Sequence, residues 1–188
     1  MSTATRVSLD VFLAMEETKP YLELIDGEVV PKAMPNDNHA ALVAELLIEL
    51  GNYLRTSREA LLRTELRHLV REEQRVFLPD VSVTLESRAV KERAIRRRGP
   101  IEVVPDFAIE VLSPDDPPLR VLQRVDFYLR SGTRLLWMVD PESQSVAVYR
   151  PGEPLEVHGP PGQLDAQPVL ASFTLDLAAL FAVLDGDD

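Results

Sequence analysis

The chain has 188 residues with a formal charge of −11; at roughly 100 to 200 residues per domain this predicts one domain with a sizeable hydrophobic core. Hydrophobic residues make up 45% and charged residues 27%, which excludes a disordered chain, and the acidic balance opposes non-specific binding to polyanions. With no cysteine, disulfide scaffolds, thiolate zinc sites and cysteine nucleophiles are excluded together, so a metal would have to sit on oxygen or imidazole.

The first residues lack the apolar centre of a secretory signal, and no apolar run reaches the roughly 18 residues of a membrane span, so a cytoplasmic protein without a membrane partner is the expectation. Ser8 is placed to cap a short helix in which Leu9, Phe12 and Leu13 share a face. Two β-favouring runs, Tyr21 to Ile25 and Glu28 to Val30, flank Asp26-Gly27, the pattern of a tight hairpin. Asn36 or Asn38 caps a long helix from His39 to about Arg55, with Leu42, Leu46, Leu47, Leu50, Tyr53 and Leu54 at helical spacing.

A strand is predicted within Leu61 to Val70 and another from Val76 to Leu85, the latter interrupted by Pro79. Arg88 to Arg98 is strongly basic through Arg88, Lys91, Arg93, Arg96, Arg97 and Arg98. It reads as an exposed loop or frayed helix, a solvated run on one view and a phosphate grip on another. Phe107 to Leu112 fits a buried strand carrying one acid, Glu110. Pro117-Pro118 opens a helix to about Arg130 with a core stripe of Leu122, Val125 and Leu129. Strands follow at Arg134 to Val139 and Val146 to Tyr149, then a Gly- and Pro-rich surface loop from Gly152 to Pro168 and a terminal helix from Leu175 to Leu184.

Asp80 directly follows the proline of the second strand and Glu110 lies inside the third. On neighbouring strands the two carboxylates converge from one face and offer the hard oxygen ligands that Mg²⁺ or Mn²⁺ requires. Asp106, four residues before Glu110, points to the same face. Read from the residues alone, Pro79-Asp80 is a turn into a strand, and Glu110 a core carboxylate paired with an Arg or Lys, since some cation must stand beside it. His39 reads as a cap or packing residue, His68 and His158 as surface residues, and Trp137 as a core aromatic.

Taken in order, Tyr21-Leu-Glu-Leu-Ile-Asp-Gly-Glu-Val-Val30, Met34-Pro35 with His39, Leu78-Pro-Asp-Val-Ser-Val83, Pro105-Asp-Phe-Ala-Ile-Glu-Val-Leu-Ser-Pro114, Arg124-Val-Asp-Phe-Tyr-Leu-Arg-Ser-Gly132 and Leu136-Trp-Met-Val-Asp-Pro141 resemble the Uma-two family of restriction-endonuclease-like proteins within the PD-(D/E)XK nuclease superfamily. The resemblance implies an α/β fold with a restriction-endonuclease-like core: a mixed β-sheet flanked by helices (residues 36–150), an N-terminal helix and β-hairpin (1–35), and a final loop and helix (151–188). It further implies a divalent-metal-dependent endonuclease acting on DNA, with Asp80 and Glu110 as the metal pair and Glu28, beside Glu23, as acids brought near the site by the hairpin. Glu28 would bind a second metal or orient water.

The superfamily's lysine two residues after the strand acid is replaced here by Leu112. In sequences of the resembling kind the lysine comes from the following helix, where this chain has Arg124. Arginine stays protonated and is suited to stabilising charge, not to accepting a proton. Arg124 lies about 40° around the helix from Tyr128, at the edge of the core stripe, within reach of the strand ends. The alternative from a different class is a catalytically degenerate copy of the fold, a homodimeric binding or interaction module.

Overall fold

The computed structural model describes residues 6–88 and 100–185. A six-stranded mixed sheet forms its centre, in the order β10-β9-β8-β7-β6-β3. The strands are β3 (Ala60–Thr64), β6 (Val81–Leu85), β7 (Phe107–Val111), β8 (Leu135–Asp140), β9 (Ser145–Tyr149) and β10 (Glu156–His158). Among the described strands of this sheet only β7 and β8 run parallel, joined by helix α3 (Pro118–Arg130), because a parallel pair needs a long crossover.

Alternation along the strands sorts the core onto two faces. Val81, Val83, Phe107, Ile109, Val111, Trp137 and Val139 pack with Leu42, Leu46 and Leu50 of helix α2 (Asp37–Ser57) and with the C-terminal elements. Ala108, Leu136 and Met138 face Val125, Phe127 and Tyr128 of α3. At roughly 2 kcal/mol for each fully buried large apolar side chain, these faces make the sheet the rigid base of the molecule.

A second, four-stranded antiparallel sheet has the order β2-β1-β5-β4, from β1 (Leu22–Ile25), β2 (Glu28–Pro31), β4 (His68–Val70) and β5 (Arg75–Phe77). Helix α1 (Leu9–Leu13), capped by Ser8 Oγ, packs Leu9 and Phe12 on Leu24, Leu69 and Val76 of this sheet. The β1–β2 turn has Asp26 at φ 51° and Gly27 at φ 80°, the left-handed pair that a two-residue hairpin requires. The Asn36 side chain caps α2 by accepting from the His39 N–H at 2.9 Å.

Four expectations need correction. The runs at 61–70 and 76–85 are each two strands in different sheets, because Glu65 turns at φ 48° and Pro79 has no N–H for a ladder. Residues 152–168 are not only loop: β10 and β11 (Gln163–Ala166) lie there, and β12 (Leu170–Asp176) precedes a shorter terminal helix α4 (Leu177–Ala182). On α3 it is Val125, Phe127 and Tyr128 that are buried, whereas Leu122 is exposed. His68 is fully buried and stacks on Phe77, because its pairing opposite Phe77 turns it inward. The basic run lies outside the described residues except for Arg88, whose guanidinium meets Asp106 at 2.8 Å. Among the described residues no helix is long and apolar enough to cross a membrane.

Candidate active site

The chain leaves the small sheet at Phe77 and enters the large one at Val81, so Pro79-Asp80 sits at the junction of the two. Val81 pairs with Ile109 across the antiparallel β6–β7 ladder. Carrying that register one step further sets Asp80 opposite Glu110, whose side chain meets Tyr128 and Arg124 of α3. Asp80 is 3% and Glu110 4% exposed, so neither charge is left to bulk water.

Asp80 is held from three directions. Oδ1 receives the Lys32 ammonium at 2.7 Å; Oδ2 accepts from His39 Nε2 at 3.1 Å and from the Val111 N–H at 2.8 Å. Because the acceptor is a carboxylate, His39 carries its hydrogen on Nε2, and its buried Nδ1 has no partner among the described residues. Burial works to raise the Asp80 pKa, but the hydrogen bond from His39 and the charge of Lys32 outweigh it and hold the acid well below the usual carboxylate range.

Glu110 is the opposite case. Its Oε1 accepts from the Tyr128 hydroxyl at 2.6 Å, while Arg124 Nη1 stands 3.9 Å from Oε2, beyond hydrogen-bond distance. Burial pushes Glu110 up to about 7; Arg124 and Lys32 oppose this and Asp80 adds to it. Burial and the Glu110 charge push the Tyr128 phenol well above its usual range. Glu110 in turn raises Arg124, which stays a cation.

Lys32 is the residue that sequence reasoning missed. It follows β2, and its N–H donates to the Tyr21 carbonyl at 2.8 Å, extending the hairpin ladder beyond Pro31. Burial works to lower Lys32, but Asp80 and then Glu110 raise it overall. Its ammonium also donates to the Leu78 carbonyl at 2.6 Å. The signal for it was the two-residue turn: Glu23 pairs with Val30, so Glu23, Val30 and Lys32 share one face by strand alternation.

That same alternation corrects Glu28. It lies on the face of Lys32, but four residues earlier and therefore about 13 Å away along the strand, exposed beside the turn opposite Ile25. The hairpin acid brought to the junction is instead Glu23, 7% exposed, whose Oε1 accepts from the Leu78 N–H at 2.8 Å. Asp106 is not in the cluster either; at the other end of β7 it accepts from the Leu85 N–H at 2.9 Å and from Arg88.

Openings flank the Lys32–Asp80 pair on more than one side. Asp80, His39 and Thr64 line a groove of about 280 Å³ beside α2. Lys32, Glu23 and Arg124 line a cleft of about 220 Å³ between the hairpin and the start of α3.

The donor set fits a divalent cation of the Mg²⁺ class. Such an ion is commonly held by one or two carboxylates with water filling the remaining positions, and Asp80 with Glu110 is such a pair. Glu110 is moreover an acid whose ionisation its buried surroundings do not fully compensate, which an added cation would relieve. Among the described residues no group of three or more acids or histidines is placed to hold a metal, so the fit is to two protein carboxylates and not to an all-protein cage.

The model of a family described as "Putative restriction endonuclease" matches residues 9–178. The chain is also similar to a crystal structure described as a "putative nuclease" from Anabaena variabilis ATCC 29413, at 31% identity and a TM-score of 0.82, over 95% of this chain and 99% of that one. No curated protein matches.

Proposed function

The chain belongs to the Uma2 family of restriction-endonuclease-like proteins, and from that premise we propose that it is a divalent-metal-dependent nuclease hydrolysing phosphodiester bonds of DNA. Restriction-endonuclease-like families generally use divalent metal ions. The observation that carries the reading is the buried pair Asp80 and Glu110, opposed across β6 and β7, each with a cation beside it.

In this reading Asp80 and Glu110 hold Mg²⁺ or Mn²⁺, which supplies Lewis acidity and water of lowered pKa. His39 and the Val111 N–H fix the orientation of Asp80; the Tyr128 hydroxyl fixes that of Glu110. Lys32, raised by Asp80, stays protonated at neutral pH and stabilises negative charge growing on the phosphoryl oxygens. Arg124 does the same from α3, so the two cations act as electrostatic stabilisers and neither as a base. Glu23 positions the Pro79-Asp80 junction through Leu78.

A second reading, the catalytically degenerate, homodimeric binding module, is favoured by one observation: both oxygens of Asp80 accept from protein donors. Calorimetric titration with Mn²⁺ and cleavage of supercoiled DNA decide between them. The nuclease reading expects saturable Mn²⁺ binding and metal-dependent nicking, both lost in Asp80→Asn. Wild-type protein that binds no Mn²⁺ would overturn it in favour of the binding module.

A further inference from the structure

Arg75, on β5, is unusual for a cation. It is 5% exposed, its guanidinium lies 3.8 Å above the Phe127 ring, and its buried Nε has no hydrogen-bond partner among the described residues. No carboxylate ion pair of Arg75 occurs among the described residues. The cation–π contact offsets only part of the cost of burying a charge, and the Asp26 and Glu23 carboxylates act on the guanidinium without closing an ion pair.

Arg75 lines the cleft between the hairpin and α3, as do Arg120, Arg124 and Lys32. Arg120 and Arg124 are one turn apart on α3, a like-charge spacing that by itself disfavours a helix. The first turn of the 13-residue α3 borders the same cleft, and its N-terminus at Pro117 has no side-chain cap, which leaves the positive end of the helix dipole facing the opening. Glu23, Asp115 and Asp116 stand against these cations. One oxygen of Glu23 and one of Asp116 are already occupied by the Leu78 and Ser113 N–H groups.

We infer that this cleft is a subsite for a phosphodiester group of the nucleic-acid substrate, held by Arg75 and Arg120 at the start of α3 and adjacent to the phosphate that is attacked beside Arg124 and Lys32. The inference rests on the nuclease reading and extends it to how the strand is gripped. The Arg75 guanidinium, already oriented by Phe127, lines the cleft, and phosphate accepts from a guanidinium in a fixed fork.

The test separates the grip from the chemistry by working in EDTA. Binding of a fluorescein-labelled DNA 12-mer is followed by anisotropy for wild type, Arg75→Gln, Arg120→Ser and Arg55→Ser, the last being an arginine of the final turn of α2, outside the cleft. Arg75→Gln and Arg120→Ser are expected to weaken binding about tenfold each and to flatten the salt dependence by about one unit of log–log slope; Arg55→Ser stays within about twofold. Should Arg75→Gln misfold, the exposed Arg120→Ser still reads the site, as does movement of the Arg75 Nε–H resonance in wild type on adding the 12-mer.

Equal affinity in the folded cleft variants, with an unmoved Arg75 resonance, overturns the subsite even if wild type nicks DNA with Mn²⁺. An Arg75 resonance that moves with inorganic phosphate but not with the 12-mer also overturns it, since the oxyanion is then not a nucleic-acid phosphodiester. Wild type that neither binds the 12-mer nor nicks DNA removes this inference and the nuclease reading together.

Discussion

Lys32 and Asp80 form a largely buried ion pair, Nζ to Oδ1 at 2.7 Å, between the residue after β2 of the small sheet and the residue before β6 of the large one. The same ammonium bonds the Leu78 carbonyl, so one side chain neutralises the acid and ties the hairpin to the strand junction. Each acid of the site thereby has its own cation: Lys32 for Asp80, Arg124 for Glu110. Where Leu112 and Arg124 supply no amine, the N-terminal hairpin places one, Lys32, against Asp80.

Lys32→Met should therefore lower metal-dependent cleavage by about 10²-fold or more, the range for losing one aligned charge donor. It should also destabilise the fold by about 3 kcal/mol, because Asp80 is left buried without its main counter-charge. The double variant Lys32→Met/Asp80→Asn should unfold at higher urea than Lys32→Met alone. Additive losses in that cycle would mean that the two residues do not act as a unit.

Glu110 makes the metal-free protein less stable as pH rises. Its folded pKa of about 7 lies above the ordinary 4.5, so the folded state holds the proton more tightly. The stabilisation is complete below pH 4.5 and is lost as pH rises through 7. In EDTA, Glu110→Gln should match wild type near pH 4.5 and exceed it by a few kcal/mol at pH 8. Parallel stability curves across that window would sink the assignment.

His68 works in the other direction. Its Nδ1–H donates to the Val103 carbonyl at 2.6 Å, and complete burial lowers its pKa from 6.5 to about 4. The unfolded state then takes up the proton first, and stability falls as pH drops from 6.5 towards 4. Urea melts at pH 7.5 and 4.5 should show this loss in wild type and a smaller one in His68→Gln. An unchanged difference would show that another group carries the acid slope.

Arg124 is the largest influence holding the Glu110 pKa down. Arg124→Ala should raise the proton affinity of Glu110 and move the midpoint of Mn²⁺ binding to higher pH, with cleavage lost about 10²-fold. Arg124→Lys keeps the charge, and with Lys32 in place should retain Mn²⁺ binding and cleave within about tenfold of wild type. An Mn²⁺ pH profile identical in wild type and Arg124→Ala would refute the electrostatic role.

Local chemistry determined much of this protein. Asp26-Gly27 dictated a hairpin, Asn36 a helix start, and Pro117-Pro118 another, because turn conformations and caps depend on a few adjacent residues. The buried strand around Glu110 was legible from its apolar run, and the mixed fold from the order of elements. Tertiary structure alone decided the rest. Periodicity says which face a side chain takes, but not which sheet a strand joins or which end of it meets the site. Pro79 split one apparent strand between two sheets, and pairing opposite Phe77 buried His68. Glu28 and Lys32 share a face, yet only the packing of the hairpin's open end against Leu78 and Asp80 brought Lys32 and Glu23 to the acids and left Glu28 in solvent. These are pairings between residues tens of positions apart, and their energies exist only once both partners are in place.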